Sequence, residues 1–261
     1  MQKYLIIFVN TKQYKKLIMA NHTLSEKTIK TSAESVVSSE KMTIQGTLNK
    51  TYILFGLMLL TAAFTWYQII PVFQNLQFLW IGSVVGGFAL SLFLSFNPKY
   101  APTLAPIYAV IEGIFVASIS YYFSAFYEGI VGQALLGTVV TFCIMLTLYK
   151  TRIVKVTERL KSIIVGATLA VMSYYLISFL IGMFTNIQMF EWGNSWFSIG
   201  FSLFVIALAA FNLLLDFDSI EKGVTYGAPK YMEWYCGFGL LVTVVWLYFE
   251  ILRLLSKLSD N

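Results

Sequence analysis

Seven stretches of about twenty apolar residues each, at residues 52–70, 78–96, 104–125, 130–149, 163–184, 196–215 and 235–255, limit what this chain can fold into. Hydrocarbon offers no water to backbone N–H and C=O groups, so segments of this length must close their hydrogen bonds internally, as helices. The runs are continuously apolar, without the alternation of a β-barrel strand. Only 12% of the 261 residues are charged, against roughly 25% in soluble domains. The predicted fold is an all-α membrane protein with seven transmembrane helices in residues 51–261. A polar, Ser-, Thr- and Lys-rich tail at residues 1–50 is expected to be mobile.

The formal net charge of +5 does not predict a nucleic-acid partner, because the basic residues follow the loops. They fall in the tail, at Lys99, in the fourth–fifth loop (Lys150, Arg152, Lys155, Arg159, Lys161) and in the sixth–seventh loop (Lys222, Lys230). The loops at residues 71–77, 126–129 and 185–195 carry none. This alternation predicts a cytoplasmic N-terminus, with Arg253 and Lys257 as the two exceptions to the pattern. The apolar run at residues 4–9 is too short for a signal-peptide core, and Met19 is an alternative start. His22 is the single histidine, and Cys143 and Cys236 lie in or beside apolar runs, so an ordinary zinc site lacks ligands and any metal is left unassigned. No phosphate-binding loop, dinucleotide glycine fingerprint, HExxH or GxSxG motif is present. Neither enzymatic activity nor a cofactor is expected.

The informative residues are acids where a purely structural span would avoid them, since a charge at the membrane centre costs roughly 2.5–3.5 kcal/mol on insertion scales. Glu112 lies about 12 Å along its span from Leu104, near mid-membrane. Asp216 closes the sixth apolar run. Asp218, about 200° away around the same helix, is expected at a solvated helix end with Glu221 and Lys222. Glu233, just before the seventh span, reads as a loop or interfacial residue, and Glu250 as an ion pair with Arg253 at i,i+3. Asp216 and Glu112 are therefore the candidate proton or cation gate. Two carboxylates within ~4–6 Å would titrate as a pair, one of them held protonated. Gly82 and Gly86 form a small-xxx-small pattern suited to helix packing. Trp66, Tyr67, Trp80, Tyr100, Trp192, Trp196 and Tyr235 read as an interfacial aromatic belt.

The run FNLLLDFDSIEKG, with Leu214, Asp216 and Ile220 in an L-x-D-x-x-x-I pattern, and the later LYFEILRLLSKL resemble the end of the Bax inhibitor-1/YccA family. MTIQGTLNKT from Met42 and PIYAVIEGIF from Pro106 are similar to its bacterial YccA-like branch. The resemblance implies a bundle whose last helix is central and wrapped by the other six, in a bacterial inner membrane. It also implies a pH-sensitive calcium leak gated by aspartates on the sixth and seventh helices, and modulation of a membrane-bound AAA protease. Asp216 matches the sixth-helix aspartate. Thr243 stands where the seventh-helix acid would be, and Lys99 is the nearest substitute for a second-helix arginine that pairs with the acid in some members. Expected partners are membrane lipid, calcium ions or protons, and a membrane protease held through the tail.

Overall fold

A computed structural model describes residues 41–72, 76–184 and 195–260. The alternative start at Met19, His22, Trp192 and most of the tail lie outside the described residues. The chain forms α1 (Ile44–Phe64, prolonged by a π-helical turn at Thr65–Ile69), α2 (Leu76–Phe96), a 3-10 turn (Pro98–Tyr100), α3 (Ala101–Ser124), α4 (Ile130–Lys150), α5 (Glu158–Phe184), α6 (Trp196–Thr225) and α7 (Met232–Ser259). The protein is all-helical, and these seven helices are each long and apolar enough to cross a membrane.

Helix boundaries follow local chemistry where hydropathy is silent. Thr43 caps α1, accepting a hydrogen bond from the Gly46 amide at 2.9 Å, so the helix starts two turns ahead of its apolar run. Ser195 caps α6 in the same way. That helix continues through Asp216 and Asp218 to Thr225, because side-chain charge does not interrupt backbone hydrogen bonding. Gly227, at φ +66°, stops it: the Gly227 amide donates to the Val224 carbonyl and the Ala228 amide to that of Gly223. This 6→1 and 5→2 pattern needs a left-handed residue, which glycine supplies without strain.

The last helix is central. α1, α3, α4 and α6 pack directly against α7, while α2 lies on α3 and α5 on α6 as an outer layer. Leu213, Leu214, Phe238, Leu241, Leu247 and Leu252 fill the interior. Exposed large apolar side chains such as Leu60, Phe88, Leu136 and Ile177 face outward from α1, α2, α4 and α5, the composition of a lipid-facing surface.

Lipid tails are as apolar as leucine, so packing between spans depends on close approach through small residues. The expected pair fails here: Gly82 meets nothing within 4 Å, and Gly86 only Ile111 at 3.9 Å. The close-packed face lies on α3, where Ala101, Ala105, Ala109, Gly113 and Ala117 recur every fourth residue and are all buried. Tyr235 also departs from expectation, being fully buried in the core, whereas Trp196, Tyr67 and Tyr100 are exposed near helix ends.

At Gly113 a β-carbon would press on the Met58 carbonyl and Thr61 of α1. Gly113→Ala should therefore lower stability by about 1–3 kcal/mol through overpacking. Thermal unfolding in detergent measures this, and an unshifted midpoint would contradict the crossing.

Candidate functional site

The ionisable residues gather on α6 and α7, in three groups. The first lies towards the end of the bundle that carries the start of α1, the basic end. Asp216 is not at a helix terminus. It sits inside α6, only 1% exposed, where its carboxylate bears electrostatically on the buried Cys236 thiol of α7. One turn earlier, Asn212 Nδ2 donates to Thr168 Oγ1 of α5 at 2.8 Å and to the Leu208 carbonyl at 2.9 Å. Asp218 corrects the expectation of a solvated end. It is 9% exposed and pairs with Lys222 at 2.6 Å, one turn on. Lys222 also approaches Glu158 of α5 at 4.0 Å. Glu221 accepts from Tyr149 and Arg152 at the end of α4. These contacts tie the end of α6 to the neighbouring helices.

The second group is a clamp that sequence reasoning missed. Glu233 lies in the first turn of α7 and is 2% exposed, neither a loop nor an interfacial residue. Its Oε1 accepts from the Thr43 amide at 3.0 Å and from the Thr43 hydroxyl at 3.1 Å, and the carboxylate sits against Gly46, where any β-carbon would collide with it. A carboxylate at a helix N-terminus meets unsatisfied amides and the positive end of the helix dipole. Beside it, the Met42 amide donates to the Ala228 carbonyl at 2.7 Å, Lys41 bridges to Pro229, and Met42 is buried against Gly223. Residues 41–50, placed in the tail by composition, are thus fastened to the α6–α7 hairpin. The signal was present as the Thr43–Gly46 cap, but its long-range partner was not.

The third group lies at the far end of α7. Glu250 is fully buried, where an interfacial ion pair was expected. Its Oε1 accepts from Tyr175 of α5 at 2.8 Å and from Trp246 Nε1 at 3.3 Å, and its Oε2 lies 3.9 Å from Arg253 Nη1. Arg253 also donates to the Tyr175 hydroxyl at 3.1 Å. Lys257 donates to Ser202 Oγ at 2.8 Å and to the Ser198 carbonyl at 3.3 Å, both on α6.

The expected pairing of Asp216 with Glu112 does not form. Glu112 is half-buried between α2 and α3, with its Oε2 facing Gly87 and the Tyr108 hydroxyl engaging its carboxylate from one turn earlier. α3 and α6 each pack on α7, and the Glu112 carboxylate meets Gly87 of α2 and Tyr108 of its own helix. Thr243 is buried and donates to the Gly239 carbonyl at 3.2 Å, so it supplies no second charge. Lys99 is exposed and makes no ion pair among the described residues, so it does not replace the arginine that some members carry. Among the described residues no three His, Cys, Asp or Glu side chains cluster as metal ligands.

Removing the Glu233 carboxylate leaves the Thr43 groups without their buried acceptor, a loss of about 1–3 kcal/mol. Glu233→Ala should lower the melting midpoint and open the start of α1 to trypsin at Lys41 and Lys50. A cleavage pattern identical to that of the parent protein would refute the clamp.

A comparison with curated proteins found no match. The family model described as Bax inhibitor 1 like matches residues 12–260, nearly the whole chain and every helix described above. The protein is an integral membrane protein and belongs to the Bax inhibitor-1-like family.

Proposed function

We propose that the protein provides a proton-regulated leak or exchange path for cations, with calcium the expected ion and Asp216 the acid of the gate at the basic end. The observation that carries this reading is the placement of Asp216. It is an ionisable side chain inside the most buried pair of helices, one turn from Asn212 and against α7. An acid retained at such a depth is costly, and function is the default explanation for its presence. Protonation would remove its charge and change how it holds α6 against α7, which is the physical basis proposed for regulation by pH. Glu112, placed between α2 and α3, enters as a separate group and not as its partner. The path would lie in a bacterial inner membrane with the basic end in the cytoplasm, as the loop charges suggest.

A second reading, in which the protein binds and modulates a membrane-bound AAA protease, is favoured by one observation. Residues 41–43 are bonded to the α6–α7 loop and to the first turn of α7, so a partner gripping the preceding tail would pull on the hairpin that carries Asp216. Deleting residues 1–40 separates the two readings, since flux should survive and partner regulation should vanish.

The leading reading is tested by reconstitution in liposomes with an internal calcium dye. Asp216→Asn should change the flux several-fold and flatten its pH dependence. Glu112→Gln should leave the pH dependence in place. Flux equal to that of protein-free vesicles, or a pH response untouched by Asp216→Asn, would reject the gate.

A further inference from the structure

Glu112 has no part in the gate at Asp216, yet a carboxyl at its depth has to be accounted for. It stands twelfth among the 24 residues of α3, at the middle of the span. It is the only charged residue between Lys99 and Glu128, and α2, the helix opposite, carries none. Towards α7, α3 presents rings, Tyr108 against Phe238 and Phe115 against Phe249. Among the described residues the carboxyl therefore meets the Tyr108 hydroxyl and no Lys, Arg or His.

α2 leaves room for this group. A β-carbon at Gly87 would stand 3.3 Å from Glu112 Oε2 and 3.8 Å from the Tyr108 ring, so a larger side chain would drive the carboxyl from its place. The approach is from the side. Asp216 and Glu250 lie within the central α6–α7 pair, whereas Glu112 is half-buried behind one outer helix. α2 packs mainly on α3, and Phe88 of α2 and Ile107 of α3 are exposed to lipid. Among the described residues no polar row leads to Glu112 from either end of the span. The hydroxyls of Ser83, Ser91 and Ser95 on α2, and of Ser118 on α3, are bonded to carbonyls of their own helices.

We propose that Glu112, Tyr108 and the slot at Gly87 form a lateral binding site, open to the bilayer, for a hydrophobic primary amine. A carboxyl in hydrocarbon with no cation beside it carries its own proton or borrows a positive charge from a ligand. A long-chain amine supplies that charge without an ionic crossing. Its neutral free base moves through hydrocarbon, and at the site the carboxyl proton passes from the Glu112 oxygen to the amine nitrogen. The ammonium and carboxylate so formed neutralise each other where Coulomb attraction is little screened. The Tyr108 oxygen accepts a further ammonium N–H, and the alkyl chain lies along the apolar flank of α2 and α3. A hydrated divalent ion has no neutral form and no such entry. The site is independent of the transport reading, and its test measures no flux.

Competition for the carboxyl in native membranes holding the full-length protein tests this. Dicyclohexylcarbodiimide, an apolar reagent, adds to a carboxyl: the oxygen bonds to its central carbon, the proton goes to nitrogen, and the acyl group then migrates to nitrogen as a stable N-acylurea. It should modify Glu112, read as a mass increase of the α3 peptide that is lost in Glu112→Gln, whereas a water-soluble carbodiimide should leave Glu112 unmodified. Dodecylamine should slow the apolar reaction several-fold, and dodecanol, with the same tail and no amine, should not. Tyr108→Phe, which keeps the ring, should weaken the protection several-fold. No modification of Glu112, or equal modification by the two reagents, would overturn lateral entry. Equal slowing by amine and alcohol, slowing by neither, or full protection in Tyr108→Phe would overturn the amine site.

Discussion

Charge in hydrocarbon has to be surrounded, and in this protein that requirement fixes which helices stand in the middle. Asp216, Asp218, Glu233, Glu250, Arg253 and Lys257 all lie on the α6–α7 hairpin. Exposed to lipid, each would cost of the order of a few kcal/mol. Inside the bundle they are met by Lys222, Thr43, Tyr175, Trp246, Ser202 and one another. α1, α2, α4 and α5 turn exposed apolar side chains outward to the lipid-facing positions, and α3 brings Gly113 close to α1.

The hairpin is held at both ends by different means. At the basic end the N-terminal segment is threaded against the α6–α7 loop, and Glu233 serves as an acceptor for the first turn of α1. This makes α1, α6 and α7 one mechanical unit around Asp216. At the far end the fastening runs through the side chains of Tyr175, Arg253 and Lys257, the last reaching both the Ser202 hydroxyl and the Ser198 carbonyl.

Much of the candidate site was legible before any coordinates. Asp216 stood out because an acid ends a long apolar run, and it is indeed buried against α7. Asp218 and Glu233 were misjudged for one shared reason: hydropathy falls at both, but the helices continue through them, and their partners, Lys222 and Thr43, bury them. Glu250 was read from its i,i+3 neighbour alone. Its decisive contact, Tyr175, is a residue of another helix and invisible to helical phase. Gly82 and Gly86 matched a packing motif, but Gly82 faces open space and Gly86 lies only against Ile111, whereas the alanine row of α3 was overlooked because alanine is common in an apolar span.

Sequence by itself determined the number of spans and their helical character, because the absence of water in hydrocarbon forces backbone bonding to be local. It also determined the identity of Asp216 as the acid to follow. Only the tertiary structure decided that Glu112 lies between α2 and α3, that residues 41–50 belong to the bundle, and that Glu250, Arg253 and Lys257 meet Tyr175, Ser198 and Ser202 of other helices. Those outcomes depend on which faces of different helices meet, and in a membrane that choice is made by close packing of small residues and the burial of charge, neither of which a single helix reveals.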